Sequence, residues 1–154
     1  SIKKDKNSFT IMTYFFSRAI FDFFRQLGIP SGKKSRIAEV PLLIKNASKE
    51  IKAAFIRGLA AADFCVAVKH RSFGLYPTIH FVTSSEKMCS EVCQIIQNFG
   101  IPFTRFKNLE TDKRFKKPIT TYRVDINGRK RLKEWLNLIG FSDKRNLTAC
   151  SKFF

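Results

Sequence analysis

The chain has 154 residues, with 29 Lys and Arg against 12 Asp and Glu, a formal charge of +17. Its hydrophobic fraction of 44%, including 17 Phe, supplies a core and excludes global disorder; a chain of this length buries roughly two thirds of its surface. The charge opposes compaction by self-repulsion and points to a polyanionic partner, nucleic acid before membrane.

The elements follow in chain order from hydrophobic period and breaker residues. "SIKKDKNS" reads as a short polar lead-in and lacks the layout of a secretory signal. A strand is expected over Phe9–Thr13 and a helix over Tyr14–Leu27, stopped by Gly28. "PSGKKSRIAEVP" then forms a basic connector broken by Pro30, Gly32 and Pro41. Ser48 caps a helix running to Asp63, with Glu50 in its first turn.

Strands over Phe64–Arg71 and Tyr76–Thr83 are joined by the turn "SFGL". Thr83 and Glu86 have capping-box spacing for a helix ending at Phe99. Strands over Phe103–Lys107 and Ile119–Asn127 flank the loop "LETDKRFKK", and a last helix carries Leu132, Trp135, Leu136 and Ile139 on one face. From Ser48 the order is α-β-β-α-β-β-α, an α+β layout with a largely antiparallel sheet and helices on one face. Residues 46–154 form this unit. Residues 1–45 hold a connector and a partial first repeat, because a shift of 72 positions lays Leu27-Gly28-Ile29-Pro30 on Phe99-Gly100-Ile101-Pro102.

Four cysteines (Cys65, Cys89, Cys93 and Cys150) form no CxxC pair, and Cys89 and Cys93 fall on one helix face as buried thiols. They do not make a disulfide scaffold, and His70 and His80 lack zinc-finger spacing. A reduced intracellular setting, cytoplasmic and close to the nucleoid, is expected. No run approaches the roughly 20 apolar residues of a spanning helix. No helix pairs a lysine-rich face with exposed aromatics, so a membrane surface is not expected as partner.

Period-two alternation divides the sheet into two faces. Pro77, Ile79 and Phe81 turn inward, as do Tyr122, Val124 and Ile126. Outward fall Lys69 and Arg71, Tyr76, Thr78 and His80, and Thr121, Arg123 and Asp125, with Arg105 and Lys107 sharing a face of the third strand. Such a face offers donors and acceptors as well as charge, which suits base edges in the groove of double-stranded DNA. On the preceding helix Ala54, Gly58 and Ala62 recur every four residues and leave a nearly bare stripe where a second helix backbone could approach. Asp63 ends that stripe. Two such carboxylates side by side could hold divalent metal against phosphodiesters.

"FIRGLAAADFCV" resembles the signature helix of the LAGLIDADG homing endonucleases, with Ile56 to Phe64 on the nine-residue motif. "LGIPSGKKSRIAEVP", "ASKEIKAAFIRGL", "VTSSEKMCSEVCQIIQNFGI" and "LKEWLNLIGF" extend the likeness over Ser8–Asn146, in the style of archaeal and intein-borne members. The resemblance implies a saddle-shaped sheet lying in the DNA major groove, used as a dimer or as two fused copies. It also implies Asp63 as a Mg²⁺ ligand supporting hydrolysis of one strand, and basic residues assisting, with Lys107 and Lys116 as candidates.

Ala61 replaces the motif's first acid and Phe64 its terminal glycine, which puts the carboxylate's direction in question. One signature helix is visible, so a homodimer or pairing with another motif-bearing chain is expected. The alternatives are a member that binds DNA without cutting it, an RNA maturase, and a basic RNA-associated module.

Overall fold

The computed structural model describes residues 2–4, 11–13, 16–29, 32, 35–72, 74–110 and 118–154. The expected strand beginning at Phe9, the helix start at Tyr14, most of the connector's basic residues and the loop over 111–117 fall wholly or partly outside them.

Strands β1 (Ile2–Lys4) and β2 (Ile11–Thr13) pair antiparallel and precede helix α1 (Arg18–Gln26), capped by the Ser17 hydroxyl. α1 buries none of its residues: Ile20, Phe21, Phe23 and Phe24 are all exposed. Shifted by 72, these positions fall on Val92, Cys93, Ile95 and Ile96, each buried in helix α4. Both helices end before a glycine in the left-handed region, Gly28 at φ 78° and Gly100 at φ 74°.

The short helix α2 (Leu42–Lys45) has no cap side chain and was not foreseen. The connector before it is pinned to α4, where Val40 N donates to Glu91 Oε2 at 2.7 Å and Lys45 Nζ lies 2.5 Å from Glu91 Oε1. Helix α3 (Lys49–Asp63) starts at the Ser48 cap as expected and runs directly into β3 (Phe64–Arg71). β4 (Gly74–Thr83), α4 (Glu86–Asn98), β5 (Thr104–Glu110), β6 (Ile119–Asn127) and α5 (Arg129–Leu138) complete the α-β-β-α-β-β-α order. One more helix follows, α6 (Lys144–Cys150), which residue periodicity did not disclose.

The cap of α4 differs from expectation. Ser85, not Thr83, accepts from Met88 N, at 3.2 Å, and Glu86 reaches across to the Tyr122 hydroxyl at 3.1 Å. Thr83 Oγ1 instead accepts from Ser85 N, closing the turn into the helix. Two serines and a threonine in succession offer several local caps, and tertiary contacts choose: Ser85 Oγ also donates to Ala38 O on the connector.

The sheet is antiparallel with order β3-β4-β6-β5. Register puts Phe64, Phe81 and Val124 on one face, and Val66, Ile79 and Ile126 in the next row. This face meets Val92 and Ile96 of α4, Leu132 and Trp135 of α5, and Ile56 and Ala60 of α3, all fully buried. Phe64 stacks on Phe81 with centroids 4.6 Å apart and leans on Trp135 at 5.4 Å. The α+β unit with helices on one face is therefore as the pattern predicts. Cys89 and Cys93 are buried, also as expected; Cys150 joins them and Cys65 is exposed.

Candidate nucleic-acid interface

The face opposite the helices is built by the other alternating set. Its rows across β3, β4 and β6 include Lys69 with Tyr76, Ala67 with Thr78 and Asn127, and Cys65 with His80 and Asp125. Thr104 extends the Asp125 row onto β5, and Arg123 is flanked by Val82 and Phe106. Arg71 is exposed at the β3–β4 turn, opposite Gly74. Thr121 lies opposite Asn108 on the same face.

Three expectations about this face need correction. Arg105 and Lys107 do not belong to it: register sets them against Val124 and Tyr122, on the helix side. The strand entering from Pro102 is paired so that Phe106, not its neighbours, shares the open face with Arg123. Arg105 donates to Ser90 Oγ at 3.0 Å and lies 3.6 Å from Glu86, while both cations lie over the Tyr122 ring. Thr78 is on the open face but fully buried, its hydroxyl donating to Asn127 Oδ1 at 3.0 Å. Asp125 is also buried and engaged by neighbours, so neither offers a free polar group. Lys116 lies outside the described residues.

Arg123 Nε lies 3.1 Å from Asp125 Oδ1 without hydrogen-bond alignment, a charge contact, and its guanidinium carbon is 4.6 Å from the centre of the Phe106 ring. His80 Nδ1 lies 2.7 Å from the same carboxylate oxygen. Lys69, Arg71 and Arg123 thus give the open face cationic groups spread across three of its rows.

Asp63 closes α3 at the corner where β3 begins and is exposed. Partial burial still raises its carboxyl above the usual aspartate range. Phe64 does not take the left-handed conformation of a glycine; it is extended, with φ −100° and ψ 153°. Its ring enters the core, while Asp63 before it and Cys65 after it are both exposed. An apolar anchor thus makes the helix-to-strand turn with no glycine.

The corner is held by residues that pattern reading missed. Asn146, 1% exposed, accepts from Val66 N at 2.9 Å and donates to Phe64 O at 3.2 Å, Ala60 O at 3.4 Å and Asp143 Oδ2 at 2.9 Å. Arg145 adds a bond to Phe64 O at 2.8 Å. On the outer side of α3, Arg57 Nε donates to Ile139 O at 2.6 Å, tying the motif helix to the end of α5. The interrupting arginine of this apolar helix is therefore a tether. Asn146 carried no sequence signal beyond its place in a polar stretch after Gly140.

Ala54, Gly58 and Ala62 are exposed, and a side-chain carbon placed on Gly58 would meet nothing within 4 Å. Ile51 continues the uncovered face. The small stripe is consequently bare in this chain, as a helix-pairing surface requires. Among the described residues no group of three His, Cys, Asp or Glu could hold a metal ion. Asp63 is the acid that ends this stripe, while Asp143 in the same corner is engaged by Asn146.

A sheet with one helical face and one polar cationic face, and a motif helix ending in an acid at its corner, defines a homing-endonuclease-like architecture. A LAGLIDADG-like domain family model matches residues 50–140, and the chain belongs to that family, whose domains bind DNA and often dimerise. It is similar to the replicative DNA helicase DnaB of Rhodothermus marinus, 30% identical over 135 residues, 88% of this chain and 14% of that protein. It is also similar to the ribonucleoside-diphosphate reductase NrdEB subunit alpha of Bacillus subtilis and of Bacillus phage SPbeta. Each of those is 30% identical over 97 residues, 63% of this chain and 8% of the relative. The chain spans a small part of each curated relative. No helix among the described residues is long and apolar enough to cross a membrane.

Proposed function

We propose that the protein is a DNA-binding homing endonuclease-like module that hydrolyses phosphodiesters in double-stranded DNA with a divalent metal, Mg²⁺ by preference. The observation that carries this reading is the joint placement of Asp63 at the end of an uncovered small-residue stripe and at the corner of a cationic open sheet face. The open face orients the duplex, with Lys69, Arg71 and Arg123 on phosphates or base edges, and Tyr76 and Thr121 beside them. Asp63 and its counterpart on a second motif helix hold the cation, which would lower the pKa of a bound water and stabilise charge on the leaving oxygen. With Lys107 on the helix face, this reading assigns the assisting role to Arg123 on the open side.

The second motif helix comes from a homodimer or another motif-bearing unit. The uncovered apolar face of α1, which repeats the buried face of α4, supports a partial first repeat over residues 1–45 that such a unit would complete. The relatives support a transferable module: a helicase and a reductase subunit share no activity, yet each is similar to this chain over a short segment. That pattern fits an element inserted into unrelated hosts, as intron- and intein-associated members are.

The test is incubation of the purified chain with Mg²⁺ and a library of duplex sites, alongside Asp63→Asn. Site-specific cutting by the wild type, abolished in the variant with binding retained, is expected. Cutting by Asp63→Asn would remove the acid from catalysis. Binding of duplex with no cutting by either protein would favour the alternative, a binding-only member or RNA maturase.

A further inference from the structure

β3 is an edge strand, and at the corner after Asp63 one side chain takes the place of a neighbouring strand. Asn146 Oδ1 accepts from Val66 N at 2.9 Å, and its Nδ2 donates to Phe64 O at 3.2 Å. A single amide thus serves the free edge as the peptide group of an adjoining strand would. The same Nδ2 reaches Ala60 O at 3.4 Å, in the last turn of α3, so the backbone is held on both sides of Asp63. Arg145 Nη2 is a second donor to Phe64 O, at 2.8 Å. Asp143 fixes the clamp in turn, accepting from Asn146 N at 2.8 Å and from Nδ2 at 2.9 Å. Asp63 itself makes no hydrogen bond or ion pair among the described residues. The direction of its carboxylate therefore depends on its backbone, and that backbone is held from α6.

We propose that Asn146 and Arg145 are positioning residues for the Asp63 carboxylate, and that their hold on the Phe64 carbonyl sets how tightly this corner takes a divalent cation. This rests on the metal-binding reading above. A ligating carboxylate must meet its cation within narrow limits of distance and angle, so a small rotation of the backbone that carries it detunes the site. Phe64 stands at the turn with its ring 1% exposed. The turn therefore takes its geometry from the buried ring on one side and from the α6 clamp on the other. Neither Asn146 nor Arg145 touches the cation; each acts through the backbone next to Asp63.

The experiment measures Mn²⁺ binding by electron paramagnetic resonance, Mn²⁺ standing in for Mg²⁺ at oxygen ligands. Each protein is bound to a duplex selected from a library with the wild type, and the same complex of Asp63→Asn gives the background. Far-UV circular dichroism establishes that each protein is folded. Asn146→Ala is expected to weaken the Asp63-dependent Mn²⁺ affinity about tenfold. Arg145→Ala weakens it by less, and both variants bind duplex without metal as the wild type does. Val92→Ala, a core change on α4 outside the corner, lowers stability but keeps the wild-type Mn²⁺ affinity. The Arg145 side chain is 63% exposed, so Arg145→Ala decides the matter where Asn146→Ala does not fold. Wild-type affinity in Arg145→Ala or in folded Asn146→Ala, or equal weakening in Val92→Ala, overturns the proposal alone. Equal Mn²⁺ binding by the wild type and Asp63→Asn overturns the metal-binding reading and this proposal with it. Retention of no duplex by the wild type overturns the DNA-binding reading as well.

Discussion

Asn146 Oδ1 accepts the backbone N–H of Val66 at 2.9 Å, across 80 positions of sequence, and by that bond fastens α6 to the corner where the motif helix becomes a strand. Its amide nitrogen serves the Ala60 and Phe64 carbonyls of the same corner. Every bond is made in the interior, where an unmet polar group costs about 1–3 kcal/mol. Asn146→Ala strands Val66 N, while Arg145 still serves Phe64 O, so a loss of about 1–3 kcal/mol is expected. Urea unfolding checks it as a lower midpoint at unchanged slope. A change within about 0.5 kcal/mol would mean that the corner holds itself.

Gly58 has the opposite character. Open space surrounds it, so Gly58→Leu meets no clash within its own chain and gains helix propensity of about 0.5–1 kcal/mol. The same side chain would separate two backbones that approach along Ala54, Gly58 and Ala62. The expected outcome is a chain that unfolds later yet no longer self-associates, read by sedimentation against urea midpoints. Unaltered association would place the pairing surface elsewhere.

The core and its order were legible because they depend on local pattern. Ser48, the Asp63 end and the three long strands β3, β4 and β6 match their expected positions within two residues, since periodicity and caps act within a few positions. The faces of β3, β4 and β6 were legible for the same reason. β5 was misassigned because Arg105 and Lys107 alternate with Phe106, and either set could have turned outward; pairing with β6 decided it. The His80–Asp125–Arg123 cluster and the Asn146 clamp join residues tens of positions apart, and nothing in a single sequence marks such partners. Arg57 was visible only as an interruption, and its bond to Ile139 gave the interruption a cause.

Asp63 gives a pH test. Partial burial raises its carboxyl above 3.8, so the folded chain holds the proton more tightly than the unfolded one. Stability therefore falls as pH rises from 3.8 through the folded-state value, and the penalty is constant above it. Asp63→Asn removes the penalty. The variant is expected to have a higher urea midpoint than the wild type at pH 7, with the difference disappearing near about pH 3. A lower midpoint at pH 7 would show that the carboxylate is a stabilising partner in the free protein.

The central claim is that duplex DNA lies against the open sheet face, and salt dependence with charge reversals on opposite faces tests it most directly. Binding should weaken linearly in log affinity against log salt. Lys69→Glu with Arg71→Glu should make that slope shallower by about two phosphate contacts, whereas Lys107→Glu, on the helix side, should leave it nearly unchanged. Equal flattening by Lys107→Glu, or a wild-type affinity indifferent to salt, would contradict the account.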